Sequence, residues 1–183
     1  DIGQGSDKGT FLSPTFSFGA NVAEVEVDPE TGRVHVLNIW GAHDCGVAIN
    51  PQAVTGQVEG AISMGFGQVL MEDMVFEGGQ TFQADLISYP IPTALDLPEI
   101  ESVRVTTDDP IGPFGAKEAG EGTTLAIVPA IANAVYNAVG LRFLDLPIRP
   151  ENIDLAHLRA EKNQKRGKFT AKGAEERQGE RRR

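Results

Sequence analysis

The sequence predicts a domain of the α+β class, with strands and buried helices mixed and no regular β–α–β repeat. Two stretches near the start alternate apolar and polar residues, and two longer stretches carry apolar residues at helical spacing. At 183 residues and 40% hydrophobic content, the chain can bury a core of its own. Its 21 Gly and 11 Pro predict frequent turns between elements.

In chain order, Asn21–Val27 sets Ala23, Val25 and Val27 against Glu24 and Glu26, the pattern of a half-buried strand. Asp28-Pro-Glu-Thr-Gly32 is a turn and Arg33–Trp40 a second strand, so the pair forms a hairpin, with His35 at a surface position. From Pro51 to Met71 the residues Val54, Val58, Ala61, Ile62, Phe66 and Val69 recur at helical spacing. Gly56, Gly60, Gly65 and Gly67 lie in the same segment. Each costs a helix about 1 kcal/mol against alanine, so a close approach by a packed helix or by a ligand is expected there. Glu77-Gly-Gly-Gln80 is a turn and Ile100–Thr107 a strand. Thr124–Val139 is a largely apolar helix, with Pro129 near its start and Gly140 as its stop. No apolar run is expected to be long enough to span a bilayer.

Charge divides the chain. The tail from Arg159 to Arg183 holds ten of the 16 Lys and Arg residues and four of the 26 Asp and Glu. Such a tail, without apolar periodicity, is expected to stay solvated. The remainder keeps six basic against 22 acidic residues, which argues against nucleic acid as a partner of the body. The chain opens at Asp1 with no charged-then-apolar leader, and a cytoplasmic location is expected. The lone Cys45 rules out an internal disulfide and a cysteine-only cluster, so any iron–sulfur chemistry belongs to another chain.

Several chemistries lack their residues. Gly60-Ala-Ile-Ser-Met-Gly65 has the glycine spacing of a phosphate loop, but Phe66 stands where the lysine is required. No Gly-x-Gly-x-x-Gly follows a strand, and no serine sits in a Gly-x-Ser-x-Gly elbow. His43-Asp44-Cys45 gathers three metal-ligating types, but in an extended segment they alternate in direction and no second pair exists. A buried cysteine at a strand end is the expectation, and no metal ligand is assigned.

The octapeptide Gly115-Ala-Lys-Glu-Ala-Gly-Glu-Gly122 sets one carboxylate, Glu121, between two glycines just before a helix. It reads either as a turn with an exposed glutamate or as a carboxylate offered into a pocket. In a pocket, exclusion of water would raise its pKa toward that of a general base.

Asn21-Val-Ala-Glu-Val-Glu-Val-Asp-Pro-Glu-Thr-Gly-Arg33, His43-Asp-Cys-Gly46, Ile49-Asn-Pro51, Gly56-Gln-Val-Glu-Gly60 and Gly112-Pro-Phe-Gly-Ala-Lys-Glu-Ala-Gly-Glu-Gly122 occur in that order. Together they resemble the C-terminal part of the molybdopterin-binding large subunit of the xanthine dehydrogenase/aldehyde oxidase family, over roughly Phe11 to Ile153. The Gly-Pro-Phe-Gly-Ala-Lys-Glu form is most similar to the 4-hydroxybenzoyl-CoA reductase branch. Asp1-Ile-Gly-Gln-Gly-Ser-Asp7 resembles the family's Gly-Gln-Gly loop, although Lys8 follows where the family has a long intervening segment. The resemblance therefore divides the chain into a cofactor-loop remnant at 1–7, a molybdopterin-binding body at 8–158 and the basic tail at 159–183.

By that resemblance Glu121 matches the catalytic glutamate, which takes a proton from the attacking oxygen. Ala119 and Gly120 match backbone beside the metal, and Gln57 and Gln4 match cofactor-contacting glutamines. Lys117 and Glu118 match less closely. Many relatives have glycine where Glu118 stands, so Glu118 reads as a feature of the branch or as a solvated charge. The implied cofactor is molybdenum–molybdopterin, in its plain or cytosine dinucleotide form. Iron–sulfur clusters and FAD are implied on other domains or subunits, and the remainder of the large subunit is an implied partner. The implied activity is reductive dehydroxylation of an aromatic CoA thioester, or else hydroxylation of an aldehyde or N-heterocycle. The remaining alternative is an inactive lobe with a structural role. Gly3–Gly5, Gly56–Gly60 and Ala119–Gly122 are expected to converge on one cofactor.

Overall fold

The structure is a computed structural model that describes residues 15–153. The Gly3–Gly5 loop with Gln4, and the tail from Arg159, lie outside the described residues. Strand β1 (Phe18–Val27) pairs antiparallel with β2 (Val34–Asp44). The turn between them is tied by Asp28, whose carboxylate accepts from the Glu30 amide at 2.8 Å and the Thr31 hydroxyl at 2.7 Å. β2 runs past its expected end at Trp40 to Asp44, which brings His43 and Asp44 inside the sheet. Helix α1 (Pro51–Leu70) follows, then a small hairpin of β3 (Phe76–Glu77) and β4 (Gln80–Thr81) at the expected Gly78-Gly79 turn.

Strand β5 (Glu99–Val105) then adds to β2 in parallel, giving the order β1-β2-β5. The sheet is therefore mixed, with one hairpin and one crossover through α1. Helix and strand mix as expected, but the parallel pair is a feature the strand patterns did not carry. Helix α2 (Gly122–Val139) ends at Gly140, which adopts the left-handed conformation and donates its amide to the Tyr136 carbonyl at 2.7 Å.

Both helices pack on one face of the sheet. Ile39 of β2, Val58, Ile62, Phe66 and Val69 of α1, and Ile127, Ile131, Val135 and Val139 of α2 form the core. The α2 residues recur every fourth position and so line one stripe. α1 starts where Asn50 accepts the Ala53 amide at 3.1 Å, with Pro51 as first helical residue. α2 corrects one expectation: its 18 residues, with a mean hydropathy of 1.3, are long and apolar enough to cross a membrane by length and composition. Here its buried stripe makes it a core helix. On the opposite face of the sheet Phe18, Val22, Val103 and Val105 stay exposed.

The four α1 glycines divide into two kinds. A Cβ on Gly65 would stand 2.0 Å from Ile127 Cγ2, and one on Gly67 would stand 2.1 Å from Glu72 Oε1. Packing accounts for both. A Cβ on Gly56 or Gly60 would meet nothing within 4 Å, so packing among the described residues accounts for neither.

Candidate functional site

Successive residues of a strand point to opposite faces. At the end of β2 this alternation sends His43 toward the helices and Asp44 the other way, and the two grip consecutive residues of the loop before α2. His43 is 1% exposed, and its Nε2 lies 3.0 Å from the Glu118 carbonyl oxygen. A carbonyl only accepts, so Nε2 carries the proton. Asp44 Oδ2 lies 2.5 Å from Lys117 Nζ, and Thr107 donates its hydroxyl to the same carboxylate at 2.8 and 3.0 Å. The backbone completes the grip: Lys117 N–H donates to Cys45 O and Val47 N–H to Gly115 O, both at 2.8 Å. Gly46 permits this contact, because its φ is +66° and a Cβ there would stand 2.3 Å from Gly115 O.

Burial pushes the Asp44 pKa up, but hydrogen bonds from Lys117, the Gly46 amide and Thr107, with the Lys117 charge, outweigh it and hold it below the ordinary carboxylate value. Cys45 is buried beside this network, as its strand-end position predicts. Among the described residues no three His, Cys, Asp or Glu side chains gather to hold a metal ion.

Glu118 is exposed, with 45% of its side chain open to solvent, yet its carboxylate is hydrogen-bonded within the described residues. Its Oε1 accepts the Ser17 hydroxyl at 2.7 Å, its Oε2 accepts the Gly120 amide at 2.9 Å, and His43 Nε2 stands 3.4 Å from Oε1. Burial raises its pKa. The Ser17 hydroxyl, the Gly120 amide, the His43 ring and the Gly122 amide together outweigh that and set it below the ordinary value.

Glu121 takes the N-cap position of α2 and makes no capping hydrogen bond with its side chain. The residue is exposed, so the described residues do not enclose it in the water-excluded pocket that was one reading of the octapeptide. Gln57 and Ala119, fixed by α1 and by the loop, line one cavity of about 200 Å3 with Cys45, Val47, Ile49 and Ala53. The structure thus brings Gln57 and Ala119 together. Gly120 sits beyond them, and a Cβ there would find only Glu118 Oε2, at 4.0 Å. A larger cleft of about 640 Å3, bordered by Asp73, Arg142 and Arg149, includes none of the candidate residues. Sequence reasoning missed Ser17, Thr107 and the roles of His43 and Asp44. Ser17 lies 101 residues from Glu118 and Thr107 lies 63 from Asp44, so no local pattern announces either pair.

Residues 3–98 match the family model for the molybdopterin cofactor-binding domain. A probable hypoxanthine oxidase of Escherichia coli is 36% identical over 149 residues, covering 79% of this chain and 16% of its own length. The aldehyde oxidoreductase molybdenum-binding subunit of Escherichia coli is 37% identical over 135 residues, covering 72% of this chain and 18% of its own. Among solved structures, the aldehyde oxidoreductase of Desulfovibrio gigas superposes with a TM-score of 0.70 at 35% identity, covering 78% of this chain and 15% of that one. The chain spans 16% and 18% of the lengths of these two curated relatives.

Proposed function

We propose, from the premise that the chain belongs to the molybdopterin cofactor-binding domain family, that it is one lobe of a molybdenum-dependent oxidoreductase subunit with Glu121 as general base. The observation that carries this reading is the state of Glu121. Its carboxylate is exposed and caps nothing, while Lys117 and Glu118 just before it are both pinned. The backbone at Gly56 and Gly60 is open to the approach of a ligand, and Gln57 and Ala119 line one cavity, which supports this reading. Gln57, Ala119 and Gly120, with Gln4, would hold that group, because an amide side chain both donates and accepts at pterin and phosphate edges. When bound, the molybdenum cofactor supplies the two-electron redox centre. Glu121 takes the proton from the attacking oxygen, and the remainder of the subunit supplies the walls that exclude water.

The substrate class is an aldehyde or an N-heterocycle, in keeping with the names of the relatives. A carbon–hydrogen bond is replaced by a carbon–oxygen bond with oxygen from water, and two electrons leave. Iron–sulfur clusters and FAD on other domains or subunits receive them; the single Cys45 of this segment cannot hold a cluster by itself. The reductive reading, dehydroxylation of an aromatic CoA thioester, has behind it only the Gly112-Pro-Phe-Gly-Ala-Lys-Glu118 motif.

The test is Glu121→Gln in a complete enzyme carrying this segment. Molybdenum content should stay at the wild-type level while the rate constant for reduction of the metal by substrate falls by about 10²–10⁴-fold. A wild-type rate would overturn the assignment, and loss of molybdenum would make Glu121 structural. Turnover of an aromatic CoA thioester with a strong reductant, and none of an aldehyde or N-heterocycle, would select the reductive reading. A complete enzyme that holds no molybdenum would make the segment a structural lobe.

A further inference from the structure

We propose that Glu118, held by His43 and Ser17, is the positioning residue that sets the turn carrying Glu121. The inference rests on the reading of Glu121 as the base.

Glu121 makes no side-chain capping bond, so the direction of its carboxylate follows from the backbone on either side of it. On its N-terminal side that backbone is held by Glu118. The Glu118 carboxylate accepts the Gly120 amide at 2.9 Å, and it packs against Gly122, so it contacts both residues that flank Glu121. A Cβ on Gly122 would stand 2.2 Å from Glu118 Oε1, so the carboxylate is folded tightly beneath the turn and only glycine fits over it.

The clamp is itself anchored. Ser17, just before β1, donates to Oε1 at 2.7 Å, and His43 binds the Glu118 carbonyl at 3.0 Å from a position that is 1% exposed. Glu118 is thus tied to the sheet through both its main chain and its side chain, while its second oxygen holds the turn. A carboxylate is needed because it only accepts, and the Ser17 hydroxyl and the Gly120 amide converge on it beside the His43 ring. An amide in its place would aim a donor at other donors.

The test uses the complete enzyme with Glu118→Ala, Glu118→Gln, Glu121→Gln and the Glu118→Ala/Glu121→Gln double variant. Two readouts are taken: amide hydrogen exchange over residues 117–124, and the rate constant for reduction of the metal by substrate. Glu118→Ala should speed exchange at Gly120 by about tenfold or more, as expected when a hydrogen bond to a charged group is lost, and should raise it at Gly122 as the turn loosens. It should also slow reduction by about 10–100-fold at wild-type molybdenum content, the scale on which misplaced catalytic groups lose rate. Glu118→Gln should fall between Glu118→Ala and wild type on both readouts. In the Glu121→Gln background the further loss from Glu118→Ala should vanish, because a positioning residue acts only through the group it positions.

Unchanged exchange at Gly120 and Gly122 would overturn the inference, as would losses that multiply in the double variant. If Glu118→Ala does not fold, Ser17→Ala takes its place, with a smaller rise in exchange at the same two amides as the expected result and no rise as the overturning one. A wild-type rate in Glu121→Gln overturns the base assignment instead, and the exchange readout then decides alone whether Glu118 holds the turn.

Discussion

Lys117 Nζ lies 2.5 Å from Asp44 Oδ2, and the two side chains are 6% and 5% exposed. A buried ion pair of this kind ties the loop before α2 to the end of β2 across 73 residues of sequence. Two charges out of water are tolerated only when their remaining bonding capacity is met. Thr107, the Gly46 amide and the Phe16 carbonyl meet it here.

Breaking the pair from one side should be severe. Lys117→Met leaves Asp44 buried without its cation and should cost about 3–5 kcal/mol in denaturant unfolding. The double variant Asp44→Leu/Lys117→Met, with no stranded charge, should lose less than Lys117→Met alone. A double variant less stable than the single one would show that the pair contributes through more than charge compensation.

The same carboxylates set the response to acid. Asp44 and Glu118 have folded pKa values below their ordinary values of 3.8 and 4.5. Groups with depressed pKa values stabilise the fold fully above the unfolded pKa, and that stabilisation is lost as pH falls through the folded one. Stability should therefore be level near neutrality and fall from about pH 4 downward. In Lys117→Met, burial acts on Asp44 with its cation gone, so the midpoint of acid unfolding should move to higher pH. A midpoint that stays in place would show that Lys117 does not hold the Asp44 pKa down.

The glycines of α1 should separate into two classes when each is replaced by alanine. Gly65→Ala drives a Cβ to 2.0 Å from Ile127 Cγ2 and forces α1 from α2, at a loss of about 1–3 kcal/mol. Gly60→Ala meets nothing within 4 Å and should gain about 1 kcal/mol from helix propensity alone. Thermal unfolding of the two variants measures both, and a loss at Gly60 would reveal a contact on that face. In a complete enzyme the same substitution should lower cofactor occupancy if the open backbone there approaches the cofactor.

The hairpin, both helices and the Gly140 stop were legible because local chemistry specifies them. Asp28-Pro-Glu-Thr-Gly32 contains its own turn bonds, and Val58, Ile62, Phe66 and Val69 repeat at the helical period whatever lies opposite them. The end of β2 was less legible, because Gly41 and Gly46 interrupt the alternation that marks a strand. Gly41 is there for the helix above it, since a Cβ would stand 2.6 Å from Ile62 Cδ1.

The sequence by itself determined the hairpin, the two long helices and the family motifs, each written in residues close together along the chain, and Glu121 is proposed from those motifs. Only the tertiary structure decided that β5 joins β2 in parallel, that Gln57 and Ala119 share a cavity, and that Glu118 is anchored by Ser17 and His43. The difference is one of range. A turn or a helix stripe is fixed by interactions between near neighbours and leaves a periodic trace. A hydrogen bond between residues 101 apart forms only after the sheet and helices have packed, and it leaves no trace in either local pattern.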